Sequence, residues 1–150
     1  MILSSPVFEH GSYIPVKYTC DGENISIPLI FSDIPDGTKS LALIMDDPDA
    51  PMGIFVHWVI YNIPPTLGAL PEALPNEPYL NEGIRQGINS FKTIGYGGPC
   101  PPNGAHRYMF KLYAIDIALD VEAGMTKHQL LSAIDGHVID GAGLMGIYER

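Results

Sequence analysis

Glycine and proline account for 16 and 14 of the 150 residues and are scattered from end to end, so few stretches are long enough for an extended helix. A chain punctuated in this way folds through many short elements joined by turns, and a helical bundle is set aside. With 46% hydrophobic and 17% charged residues it still carries the apolar surface of a packed core. No repeat, low-complexity tract or linker-like change in composition divides it, and the expectation is one domain over residues 1–150.

Three apolar segments read as strands. Ser40 to Met45 is closed by the acidic, proline-bearing Asp46-Asp47-Pro48-Asp49-Ala50-Pro51, and Val56 to Ile63 is closed by Pro64-Pro65. From His106 to Ala118, Tyr108, Phe110, Leu112 and Ala114 fall on one face at period two, with Arg107, Met109, Lys111 and Tyr113 on a partly solvated opposite face. The Pro/Gly-rich stretch from Pro64 to Gly104 is too long for a bare connection and must contain short elements or carry function. Near the C-terminus, Thr126-Lys127-His128-Gln129 has the form of a capping box, with Leu130, Leu131 and Ile134 at helical spacing and Gly136 as a stop. Met145 to Arg150 reads as a final strand. The expected fold is mainly β, a Greek-key β-sandwich of two antiparallel sheets with one or two short helices. A doubly wound α/β fold lacks the helices it needs between strands.

Eight Lys+Arg against 17 Asp+Glu give a net charge of −9, which opposes polyanions and anionic bilayers. No nucleic-acid partner and no stable membrane association are expected. No apolar run approaches the roughly 18 residues of a membrane span, and Met1 to Pro6 lacks the basic and apolar regions of a signal peptide, so a cytoplasmic location is expected. Cys20 and Cys100 have no metal-ligand spacing; a single disulfide and two free thiols both remain open. A homodimer is also open.

Two constellations can carry chemistry. Asp47 and Asp49 lie in a loop stiffened by Pro48 and Pro51, with His57 opening the next strand, a rigid setting for a carboxylate. The plainer role of such an aspartate is to cap its own turn. In the second, Gly97-Gly98-Pro99-Cys100-Pro101-Pro102-Asn103-Gly104 leads into His106-Arg107-Tyr108, where His106 and Tyr108 share a strand face and Gly98 offers an unobstructed backbone N–H. The plainer role here is an edge-blocking loop before ordinary strand residues. No Gly-x-Ser-x-Gly elbow and no phosphate-cradling Gly-x-x-x-x-Gly-Lys-Ser/Thr sequence occurs, so a serine nucleophile and nucleotide hydrolysis are disfavoured.

Taken together, Asp47-Pro48-Asp49-Ala50-Pro51, His57-Trp58, Gly98-Pro99-Cys100-Pro101-Pro102 and His106-Arg107-Tyr108 resemble the phosphatidylethanolamine-binding protein family, which includes the Raf kinase inhibitor proteins. Asp21 to Leu29 and the ending Gly146-Ile147-Tyr148-Glu149-Arg150 resemble its bacterial and archaeal branch. Ile27, where a proline is common, and Ser90-Phe91-Lys92, where an acidic residue and a glycine are usual, depart from the pattern outside the pocket motifs. The resemblance implies a Greek-key sandwich and a small anion pocket lined by Asp47, His57, His106 and Tyr108, with Gly98 and Pro99 at its rim. It also implies a non-catalytic binder of phosphate, carboxylate or a phospholipid head group, with a serine protease or a kinase as possible partner and serine-protease inhibition as the alternative function. No catalytic residue, metal or cofactor is assigned. A lesser alternative is an Asp/His hydrolase or metal-dependent enzyme built on Asp47, His57 and His106, although separations of 10 and 49 residues match no compact ligand motif. In the binding reading Asp47 is expected to hold His57 and favour its charged form.

Overall fold

The computed structural model describes residues 1–150. In chain order the strands are β1 (Ile2–Ser4), β2 (Leu29–Ser32), β3 (Ser40–Asp47), β4 (Phe55–Ile63), β5 (Ala69–Leu70), β6 (Arg85–Gln86), β7 (Ala105–Ile115) and β8 (Val138–Glu149), with one helix, α1 (Lys127–Ile134), between the last two. They form a three-stranded sheet, β1-β2-β5, and a five-stranded sheet, β6-β4-β3-β7-β8. Every strand pairing within the two sheets is antiparallel. After β3, β4 and β6 have paired in succession, the chain returns to lay β7 on the free edge of β3, which is the Greek-key order.

The central strand β3 is buried at all eight positions because both of its faces are covered. Leu41, Leu43 and Met45 enter the larger core between the sheets with Trp58, Ile60, Phe110 and Leu112. Ala42 and Ile44 face the opposite way, into a smaller cluster closed by Leu130 and Ile134 of α1. The capping box of α1 is complete: Gln129 N–H donates to the Thr126 hydroxyl, and the Thr126 N–H donates to the Gln129 side chain. Lys127 then ties the helix to the sheet through buried Asp46, 2.7 Å away. No helix is long and apolar enough to cross a membrane.

The stretch from Pro64 to Gly104 contains β5, a 3₁₀ turn at Asn81–Gly83 and β6, and it is tied down by side chains. Gln86 accepts from Trp58 Nε1 and donates to the carbonyls of Pro75 and Glu77. The final strand is longer than the sequence suggests. It begins at Val138 and incorporates Gly141, Gly143 and Gly146, which argue against a helix without preventing a strand. At Gly146 the missing side chain is a requirement, since a Cβ would lie 2.6 Å from Ile14 Cγ1. Cys20 and Cys100 form a disulfide, with 5.4 Å between their Cα atoms.

Candidate functional site

β3 ends where the antiparallel β4 and β7 begin, so Asp47, His57, His106 and Tyr108 arrive at the same end of three adjacent strands. They line one cavity of about 200 Å³, walled on its other sides by the 50–51 loop, Phe55, Phe91 and the Cys100-Pro101-Pro102 segment. His57 reaches it by an irregularity in the ladder. Val56 pairs with Asp46 and Trp58 with Met45, which leaves His57 as an extra residue on β4. Such a bulge turns a side chain that strict alternation would send to the helix side toward the face that holds Trp58. There His57 packs edge-on against Tyr108 and Phe91, with ring centroids 5.2 and 5.5 Å away.

Asp47 does not hold His57, contrary to the sequence expectation. Its Oδ2 accepts from His106 Nδ1 at 2.6 Å, and its Oδ1 accepts from the Asp49 N–H at 2.8 Å, so the turn cap and the histidine partner are the same carboxylate. Asp49 faces outward, where Arg107 grips it with its backbone N–H, Nε and Nη2, and this guanidinium holds the Asp49 carboxyl down at about 2. The ion pair clamps the Pro48–Pro51 loop to the start of β7. His57 is charged less readily than an ordinary histidine, not more: burial pushes its pKa down, outweighing the carbonyl of Gly97 and the charge of Asp47. Because Gly97 O only accepts, His57 Nδ1 carries the proton in this 2.6 Å contact, and the neutral ring keeps a lone pair at Nε2.

Gly98 and Pro99 are not at the rim. Both are buried behind the wall. The Gly98 N–H is already committed to Asn24 Oδ1 at 2.8 Å, and Pro99 O accepts from Cys20 N–H at 3.1 Å. Gly98 is glycine for another reason, since a Cβ would meet Asn24 Oδ1 at 2.3 Å and Tyr18 O at 2.4 Å. The residues that do form this wall are Cys100, Pro101 and Pro102.

Tyr108 is fully buried, and its hydroxyl has no hydrogen-bond partner. Burial first, then the nearby Asp47 charge, pushes the phenol far above its ordinary range. The hydroxyl is therefore a permanent donor at physiological pH. Asp47, His57 and His106 do not group as metal ligands, and no other cluster of His, Cys, Asp and Glu does.

Residues 4–149 match the family model described as phosphatidylethanolamine-binding protein. The chain belongs to the phosphatidylethanolamine-binding protein family. A UPF0098 protein of Methanothermobacter thermautotrophicus is 51% identical over 150 residues, covering 100% of this chain and 99% of that one. Another, from Chlamydia trachomatis, is 46% identical over 155 residues and covers 100% of this chain and 99% of its own. Among solved structures, a phosphatidylethanolamine-binding protein homolog from Chlamydia trachomatis superposes with a TM-score of 0.92 at 46% identity, covering 99% of this chain and 97% of that one. Escherichia coli YbcL, described as a new member of the mammalian phosphatidylethanolamine-binding protein family, gives 0.90 at 31% identity over 99% and 97% of the two chains. The family and its β-sandwich follow directly from these matches. The sequence resemblance carried the four lining residues, but it missed Asn24 as the anchor behind Gly98. The Asp21-Gly22-Glu23-Asn24 run was the only sign of that anchor.

Proposed function

We propose that the chain is a non-catalytic binder of a small anion, a phosphate or carboxylate group, held in the cavity between Asp47, His57, His106 and Tyr108. The observation that carries this reading is the Tyr108 hydroxyl, a buried donor with no protein partner. Leaving such a group unmatched costs about 1–3 kcal/mol, and a ligand oxygen would recover it. The electrostatics favour an anion over a cation. Both Asp47 oxygens accept from N–H donors of the protein, so the carboxylate is turned toward its own loop and His106, and the Tyr108 hydroxyl is left as the unspent donor. His106 spends only Nδ1 on that carboxylate, and in its protonated form donates to a ligand from Nε2. A cavity of about 200 Å³ lies below the roughly 300–1,000 Å³ of drug-sized pockets, which suits a phosphoryl or carboxyl group and a few waters.

The test is a calorimetric titration of inorganic phosphate into the wild type, His106→Ala and Asp47→Ala, with each variant's fold checked by near-UV circular dichroism. Binding to the wild type and a loss of about tenfold or more in both folded variants support the reading. Identical titration curves for all three would remove it. The same titration with phosphorylethanolamine, a phosphoserine peptide and acetate ranks the sources of the anion. Release of inorganic phosphate from either phosphate ester would point instead to a hydrolase.

A further inference from the structure

The Cys100-Pro101-Pro102 wall is held in an unusual way. No backbone hydrogen bond reaches residues 100 to 103: the last before them joins Cys20 N–H to Pro99 O, and the next joins Gly104 to Arg150 in both directions. Two of these residues are prolines, which have no N–H to offer. Between those anchors the segment is fixed to the body of the protein by the Cys20–Cys100 disulfide, and Cys100 itself lines the cavity. Both cysteines are partly exposed. The Arg150 guanidinium lies over the bridge, with Nη1 3.3 Å from the Cys100 sulfur and 3.8 Å from that of Cys20. A cation so placed stabilises a departing thiolate, and a better leaving group speeds thiol–disulfide exchange.

We propose that Cys20–Cys100 is a redox switch on the anion cavity, opened by a dithiol, and that its opening loosens the Cys100–Asn103 wall and weakens anion binding. One thiolate of the dithiol attacks Cys20 Sγ, forming a mixed disulfide, and the Cys100 sulfur leaves as a thiolate beside Arg150. The second thiolate of the dithiol then displaces Cys20. The protein gains two electrons and ends with two thiols, the protons coming from the dithiol and solvent, while the dithiol becomes a disulfide. The effect on affinity rests on the anion-binding reading; the loosening of the wall does not.

The experiment follows hydrogen exchange by NMR and phosphate titration in parallel, with and without dithiothreitol, on the wild type and on Cys20→Ser, which breaks the bridge without altering a cavity-lining residue. The amides of Cys20 and Gly98 report the seam, because their bonds to Pro99 O and Asn24 Oδ1 run beside the bridge. The expected result is two titratable thiols in reduced wild type, exchange at these amides faster by about tenfold, native chemical shifts retained in β3 and β7, and phosphate affinity lower by about fivefold. Cys20→Ser should show the same changes without reductant and no response to it. The proposal is overturned if the folded protein resists dithiothreitol, if both thiols appear with seam exchange and affinity unchanged, or if β3 and β7 lose their native chemical shifts along with the seam. Should the oxidised protein bind no phosphate, the anion reading fails alone and the seam amides still decide the switch.

Discussion

Tyr108 separates stability from binding at a single oxygen atom. With no protein partner, its buried hydroxyl forgoes the hydrogen bonds it makes in the unfolded chain, so Tyr108→Phe should leave stability unchanged or raise it by up to about 1 kcal/mol in a thermal melt. The same change should weaken phosphate binding by about five- to tenfold. A variant that loses stability and keeps affinity would contradict both roles. His57 makes the second residue-level prediction. Burial holds its folded pKa below the ordinary 6.5, so in acid the unfolded chain binds the extra proton. Its penalty is absent above pH 6.5 and grows as pH falls below that value. Asp49, held at about 2 by Arg107, lowers stability only below about pH 4, so its effect does not overlap the window in which His57 acts. In urea melts between pH 7.5 and 5, His57→Gln should flatten the decline; an identical slope would show that His57 is not buried as a neutral ring. That His106 and Tyr108 share a face is legible in the His-x-Tyr alternation; that Asp47 and His57 join them at one cavity is legible only through the family resemblance of the motifs taken together. Which histidine Asp47 holds is not legible there, because the choice depends on one extra residue in β4 that the local pattern does not mark.

At the scale of elements, the long strands and the helix announce themselves through period and capping, while β1, β5 and β6 do not. Three- and two-residue strands have no period to read and exist because a neighbour offers an edge. The glycines of β8 are equally ambiguous in sequence and unequal in the fold. Gly146→Ala would drive its Cβ to 2.6 Å from Ile14 Cγ1 and 2.9 Å from Phe8 Cε2, whereas at Gly141 the nearest atom is Leu112 O at 3.7 Å. Gly146→Ala should therefore cost about 1–3 kcal/mol in a denaturant melt, and Gly141→Ala should be close to neutral or slightly stabilising. Equal effects would mean that β8 does not pack on Ile14 as described. Thr126→Ala should cost about 1 kcal/mol, since it removes the acceptor for the Gln129 N–H.

For the molecule as a whole, the net charge of −9 places the cavity's donors inside a repelling field, so selection of an anion rests on short-range geometry within the cavity. The disulfide joins residues 80 apart, and the chain-entropy contribution of so long a loop is about 4 kcal/mol. Reduction should lower the melting temperature by on the order of 10 °C in a calorimetric scan with and without dithiothreitol.

β3 carries a consequence in time. Its eight buried positions need partners on both edges, yet β4 follows within a few residues while β7 begins only at residue 105. During synthesis or refolding, one edge of this fully buried strand therefore waits unpaired for more than a third of the chain. Non-local pairing of this kind is slow to form, and until it does the waiting strand is the point at which two half-made molecules would join.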